Sequence, residues 1–198
     1  GIISAGFLFA DNKENIPVHG FLHYENGFIG FLHHTIQLGE NGTQFDYVSQ
    51  GGQDILFPFE RFQAGAVFAE RHTLRFLYQP LTVNTEVPFR ADVTIDGTVF
   101  PEDSAMSLKY GFPFWRVSYL YDFTASGRMK LAVGAALQIR NASIVFENKD
   151  GKTVKVNQNV GPVPAFVLRA RYDFLSGFFA AADATGLYAS SAFINGAD

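Results

Sequence analysis

The chain has 198 residues, a formal charge of −4, and 47% hydrophobic against only 17% charged residues, with 22 phenylalanines and no cysteine. An ordinary soluble domain carries about 25% charge. The composition excludes a disordered chain and a disulfide-stapled one, and the acidic balance argues against a nucleic-acid partner. No apolar run is long enough for a membrane-spanning helix, so the chain is apolar without an apolar run. One domain over residues 1–198 fits the length, and the start, Gly1-Ile2-Ile3-Ser4-Ala5, reads as a mature or recombinant one without a signal peptide.

In chain order, residues 19–34 read as a hairpin around Glu25-Asn26-Gly27. Pairing Tyr24 with Phe28 sets His19 opposite His33, two facing imidazoles that are weak candidates for a metal because no carboxylate stands at matching spacing. Phe62, Ala64, Ala66 and Phe68 then alternate with Arg61, Gln63, Gly65 and Val67. After a tight turn at residues 69–72, Leu74, Phe76 and Tyr78 alternate with Thr73, Arg75, Leu77 and Gln79. Residues 84–106 form a long polar stretch with an Asp96-Gly97 hairpin signal inside it. Trp115, Val117, Tyr119, Tyr121 and Phe123 oppose Arg116, Ser118, Leu120 and Asp122, before a turn at 124–127.

Met129 to Ile139 continue the pattern against Lys130, Ala132, Gly134, Ala136, Gln138 and Arg140. Residues 147–161 read as a second long polar loop. Phe166, Leu168, Ala170, Tyr172 and Phe174 then oppose Val167, Arg169, Arg171 and Asp173, and a turn at 175–177 follows. A last strand from Phe178 to about Tyr188 places Asp183 and Thr185 on one face. Period two throughout, with short and long connections in turn, predicts an all-β domain.

A soluble sandwich also alternates, but it turns its apolar face inward and shows many charges to water. Here one face is large and aromatic, while the other mixes Arg, Lys, Asp and Gln with Gly, Ala and Ser. A membrane barrel inverts the sandwich, with apolar residues toward lipid and polar or small residues in the lumen. Aromatic rings beside the short turns suit an interfacial girdle. Trp115 lies eight residues from Phe123, on the order of 20 Å along the membrane normal for a tilted strand, so it marks the opposite girdle.

The short Gly-containing turns, the long polar loops and the Tyr-x-Tyr-Asp-Phe strand end resemble small outer-membrane β-barrel proteins of Gram-negative bacteria. Arg116-Val-Ser-Tyr-Leu-Tyr-Asp-Phe123, Ile139-Arg-Asn-Ala142 and Val160-Gly-Pro-Val-Pro164 carry the likeness, which covers about residues 107–190. The resemblance implies an antiparallel up-and-down transmembrane barrel of about eight to twelve strands in the bacterial outer membrane, and brings no catalytic residue with it. Such barrels end on a strand with a terminal aromatic, whereas this sequence ends Phe193-Ile-Asn-Gly-Ala-Asp198. Either a closing strand follows residue 198 or the closure is unusual.

On these faces the lumen receives Arg61, Arg75, Gln79, Arg116, Asp122, Lys130, Gln138, Arg140, Arg169, Arg171, Asp173 and Asp183. The lipid side receives Trp115, Tyr119, Tyr121, Phe123, Phe166, Tyr172, Phe174 and Phe178. The excess of basic groups inside gives two readings, passage of small anionic solutes or a salt-bridged plug that conducts nothing. Short turns on one side of an up-and-down barrel lie at one depth, so Asp122 and Asp173 are expected at one height. Because an isolated buried charge is costly, Asp–Arg pairs are expected to link neighbouring strands.

The expected partner is membrane lipid or detergent, with lipopolysaccharide a further candidate; no cofactor is expected. A membrane-embedded lipid-modifying hydrolase is the alternative, though no Ser–His pair is visible, Ser118 and His72 falling on different faces. A soluble lipocalin-like lipid carrier is the second alternative. Asn41-Gly-Thr43 and Asn141-Ala-Ser143 match a glycosylation pattern that carries no meaning in a bacterial barrel.

Overall fold

A computed structural model describes residues 2–9, 18–124, 127–175 and 177–186. Every helix or strand among them is a strand, and every strand pairing is antiparallel. The strands are β1 (Ile2–Phe9), β2 (Val18–Ile29), β3 (Thr35–Ile36), β4 (Phe45–Asp46), β5 (Phe57–Phe68), β6 (His72–Gln79) and β7 (Thr82–Pro88). They continue with β8 (Val93–Ile95), β9 (Thr98–Phe100), β10 (Ala105–Gly111), β11 (Phe114–Asp122), β12 (Met129–Asn148), β13 (Val154–Asp173) and β14 (Phe179–Gly186).

One sheet runs β1-β2-β5-β6-β11-β12-β13-β14, each strand beside the next. β12 is long enough to serve two neighbours on one edge: residues 132–140 pair with β11 and residues 143–148 with β10, which in turn pairs with β7. Two features differ from the sequence reading. β2 runs unbroken through Glu25-Asn26-Gly27, because Asn26 and Gly27 pair with Glu60 and Phe59 of β5. The polar stretch at 147–161 is largely strand, since β12 and β13 pair from Met129↔Tyr172 to Glu147↔Val154 and turn over only at residues 149–153. Alternating Val154, Val156 and Val160 sustain β structure there despite the polar residues between them. The Asp96-Gly97 turn is as expected, with φ of 44° and 78° closing β8 onto β9.

The sheet curls strongly. Four inter-strand spacings separate β6 from β14, about 19 Å if the sheet were flat. Yet Arg75 Nη1 of β6 donates to Asp183 Oδ1 of β14 at 3.1 Å, and Arg116 Nη1 of β11 donates to Thr185 Oγ1 at 3.1 Å. The concave faces of these strands therefore meet. Among the described residues no ladder joins β1 to β14, and residues 187–198, which include the predicted end of the last strand, lie outside them.

Two kinds of packing coexist. At one end of the sheet, Phe45, Tyr47, Phe89, Ile95, Phe100, Met106, Leu108 and Phe146 bury themselves in an ordinary hydrophobic core. It is built by the stretches 36–47 and 89–108 against the extension of β12, and it forms a cap that the periodicity reading passes over as polar loop. In the curled part the buried apolar cluster is small: Leu120, Ala132, Ala136, Ala165 and Val167, on the concave side.

Candidate functional site

The convex face of the curl is an apolar band. Along β12 the outward positions are Met129, Leu131, Val133, Ala135, Leu137 and Ile139, and then the register continues with Asn141 and Ser143. Ten residues at about 3.3 Å each, with a tilt of about 40°, correspond to roughly 25 Å, the height of the apolar belt of a membrane barrel. Phe166 is 71% exposed and Leu168 56%, whereas their strand neighbours Ala165 and Val167 are 8% and 0%. On this stretch of β13 the larger residues face out and the smaller ones face in, the opposite of a soluble core.

The upper limit of the band is drawn by aromatic rings in register. Tyr24, Phe62, Tyr78 and Trp115 stand opposite one another across β2, β5, β6 and β11. Their ring centroids follow at 4.8, 6.4 and 5.4 Å, a continuous row in which Tyr78 stacks on Trp115. Past that row the next outward residues include Asn26 and Glu60, and Glu60 accepts the Tyr24 hydroxyl at 2.9 Å. At the lower limit lie Phe68, His72, Tyr121, Phe123, Tyr172 and Phe174, next to the tight turns. Trp115, Tyr119, Tyr121, Phe123, Phe166, Tyr172, Phe174 and Phe178 are all exposed.

The concave face carries the charge. Arg61 donates to Glu25 at 3.2 Å and to Gln79 at 3.1 Å. Arg116 donates to Gln138 on the neighbouring strand at 2.9 Å. Asp183 receives Arg75 from across the curl and Arg169 from the adjacent strand, both at 3.1 Å. Arg140 stands opposite Phe114 at the junction with the cap. Lys130 lies at the turn end, where a cavity of about 190 Å³ is lined by Arg169, Arg171, Asp122 and Glu70 among others.

The pairing differs in detail from expectation. Asp173 is bridged by Arg171 of its own strand, at 2.7 Å, rather than by a neighbouring strand. Asp122 accepts the Thr124 amide at 2.8 Å and closes the turn instead of holding an arginine. It also stands level with Ala132 and Arg169, not with Asp173, because the stagger of tilted strands shifts the register. Glu25 is the inward carboxylate that the hairpin reading hid: with a turn placed on it, the residue had no face.

The histidine pair is not formed. His19 stands opposite Val67 near the start of β2, whereas His33 lies beyond the other end of that strand. No cluster of three potential metal ligands occurs among the described residues. His34 instead packs in the cap, stacked on Tyr47 at 4.7 Å, with Nδ1 2.6 Å from Gln53 Oε1. His72 Nδ1 lies 2.7 Å from the Tyr119 hydroxyl on the convex side, and Ser118 is buried on the concave one, so the two form no dyad. No family model, no curated protein and no solved structure matches this chain.

Proposed function

We propose that the chain is an integral β-barrel of a bacterial outer membrane, whose interior is filled by its own side chains and whose role is structural rather than conducting. The observation that carries this reading is the outward series Met129 to Ile139, flanked above by the aligned rings of Tyr24, Phe62, Tyr78 and Trp115. Water offers nothing to a band of that kind, while a bilayer's hydrocarbon layer is matched by its height and its interface by the rings.

The barrel reading is supported by the curl. In the order of the sheet, β6 is fourth and β14 eighth, so Arg75–Asp183 crosses the full width of an eight-strand cylinder, leaving β1 and β14 as the seam. The plug reading is supported by burial: Val167, Ser118, Leu120 and Arg75 are each at most 4% exposed, and the cap core stands over the other end. A barrel of about eight strands has an interior that side chains fill.

The test uses Trp115, the single tryptophan. The full chain is folded into phosphatidylcholine vesicles carrying bromine at defined acyl depths. Quenching of Trp115 by the shallow label, together with a stable detergent-extracted species, is expected. A monodisperse protein in plain buffer with unquenched tryptophan sinks the membrane reading and favours the soluble carrier. In planar bilayers the expected trace is silent; anion-selective openings would replace the plug with a passage.

A further inference from the structure

The turn that joins β5 to β6 is built against its own backbone preferences. Ala69 and Glu70 take φ of 49° and 56° in succession, a conformation that hairpins ordinarily give to Asn-Gly. The Arg71 amide closes it on the Phe68 carbonyl at 3.3 Å. Strain of this kind persists where the surroundings hold it, and here it delivers two adjacent polar side chains to the convex face at the lower limit of the band.

Arg71 Nη1 lies 3.4 Å from the Tyr121 hydroxyl, and His72 Nδ1 lies 2.7 Å from that of Tyr119. The His72 ring is 5.2 Å from the ring of Tyr121, which joins the two pairs into one patch. Arg71 has no carboxylate within ion-pair distance among the described residues, and Glu70 lines the cavity on the concave side. An unneutralised guanidinium beside two phenols and an imidazole offers a planar donor fork with further donors around it, which is the chemistry that binds phosphate. Directly above the patch, Leu74, Phe76 and Val117 form an exposed apolar track toward the middle of the band.

We propose that Arg71, His72, Tyr119 and Tyr121 form a binding site for the phosphodiester of a phospholipid headgroup, with the acyl chains laid along Leu74, Phe76 and Val117. This rests on the membrane reading. The apolar track selects a lipid over free phosphate, since inorganic phosphate has no use for it.

The chain is folded into vesicles of phosphatidylcholine with phosphatidylglycerol as the minor lipid, insertion is verified by Trp115 quenching, and mild detergent extraction is followed by native mass spectrometry. Retained phospholipid is expected on the parent, and to fall about tenfold in Arg71→Gln and in Tyr119→Phe with Tyr121→Phe. The phenylalanine pair keeps the rings and so reads the site even if the arginine variant fails to fold. Lys109→Ala, on the far side of the aromatic row, is expected to keep its lipid. Equal retention in parent and phenylalanine pair overturns the site, as does equal loss in Lys109→Ala, which would mean general surface charge. Displacement of the lipid by millimolar inorganic phosphate overturns the lipid as its natural occupant. Failure of Trp115 quenching, by contrast, refutes the membrane reading itself.

Discussion

Arg75 and Asp183 are 3.1 Å apart although the strands that carry them stand fourth and eighth in the sheet. The Arg75 side chain is only 5% exposed, and Asp183 also holds Arg169, so one carboxylate answers two guanidinium groups on the concave face. Asp183 itself is 38% exposed, but removing it leaves the buried Arg75 guanidinium short of its carboxylate, which costs more than an exposed pair contributes.

Asp183→Asn is therefore expected to destabilise the fold by about 2 kcal/mol in chemical denaturation, less than a fully buried pair because Asp183 is partly solvated. Glu86→Gln, which breaks the exposed pair with Lys149, is expected to cost less than about 1 kcal/mol. Equal effects for the two would show that the concave face is as wet as the surface.

Gly134 sits where β12 crosses β11 closely: a Cβ there would lie 2.0 Å from the Tyr119 carbonyl oxygen and 2.8 Å from the Leu120 Cα. Both are backbone atoms that cannot turn aside. Gly134→Ala is expected to cost about 2 kcal/mol or more. Gly127→Ala makes a contrast without steric contact, since a Cβ there meets nothing within 4 Å and only its φ of 106° opposes it. A Gly134→Ala protein of parental stability would contradict the close strand approach.

Phe146 is fully buried in the cap and packs its ring 5.2 Å from that of Phe45. Phe146→Ala is expected to weaken the cap by about 3–5 kcal/mol while leaving the apolar band in place. Limited proteolysis should then cut within residues 36–54 and 89–104, with Trp115 quenching unchanged. Loss of both signals together would mean that cap and curl fold as one unit.

Tyr47 supplies the pH dependence. It is fully buried, its hydroxyl meets no hydrogen-bond partner among the described residues, and burial pushes its ionisation above the usual phenol range. A group raised in the folded state contributes stability that is complete below its unfolded value. That contribution is lost as pH climbs past the unfolded value toward the folded one. The cap is thus expected to loosen on the alkaline side of the ordinary tyrosine range. Tyr47→Phe should flatten that limb and gain about 1 kcal/mol at neutral pH by removing an unsatisfied hydroxyl. An unchanged alkaline limb in the variant would assign the effect elsewhere.

Much of the curled sheet was legible in the chain because a strand has a period of two and a residue's parity decides its face. The alternation from Trp115 to Phe123 and from Met129 to Ile139 put the right side chains on each face of β11 and β12 without any tertiary information. What failed did so where parity was ambiguous. Glu25-Asn26-Gly27 has the composition of a turn, yet β5 offers a partner to each of the three residues, and β1 a second one to Glu25, which keeps the segment extended. The cap was hidden for a similar reason: Phe45 and Tyr47, Val93 and Ile95, and Met106 and Leu108 alternate over runs too short to stand out from the polar residues around them.

By itself, then, the sequence determined the strand character, the identity of the two faces and the chemistry on each, since all three follow from residue type and spacing along one strand. Which charges meet was decided only in three dimensions. Strand stagger sets Asp122 level with Arg169 instead of Asp173, and curvature carries Asp183 across to Arg75. Stagger and curvature are properties of many strands together, so no single strand's sequence contains them.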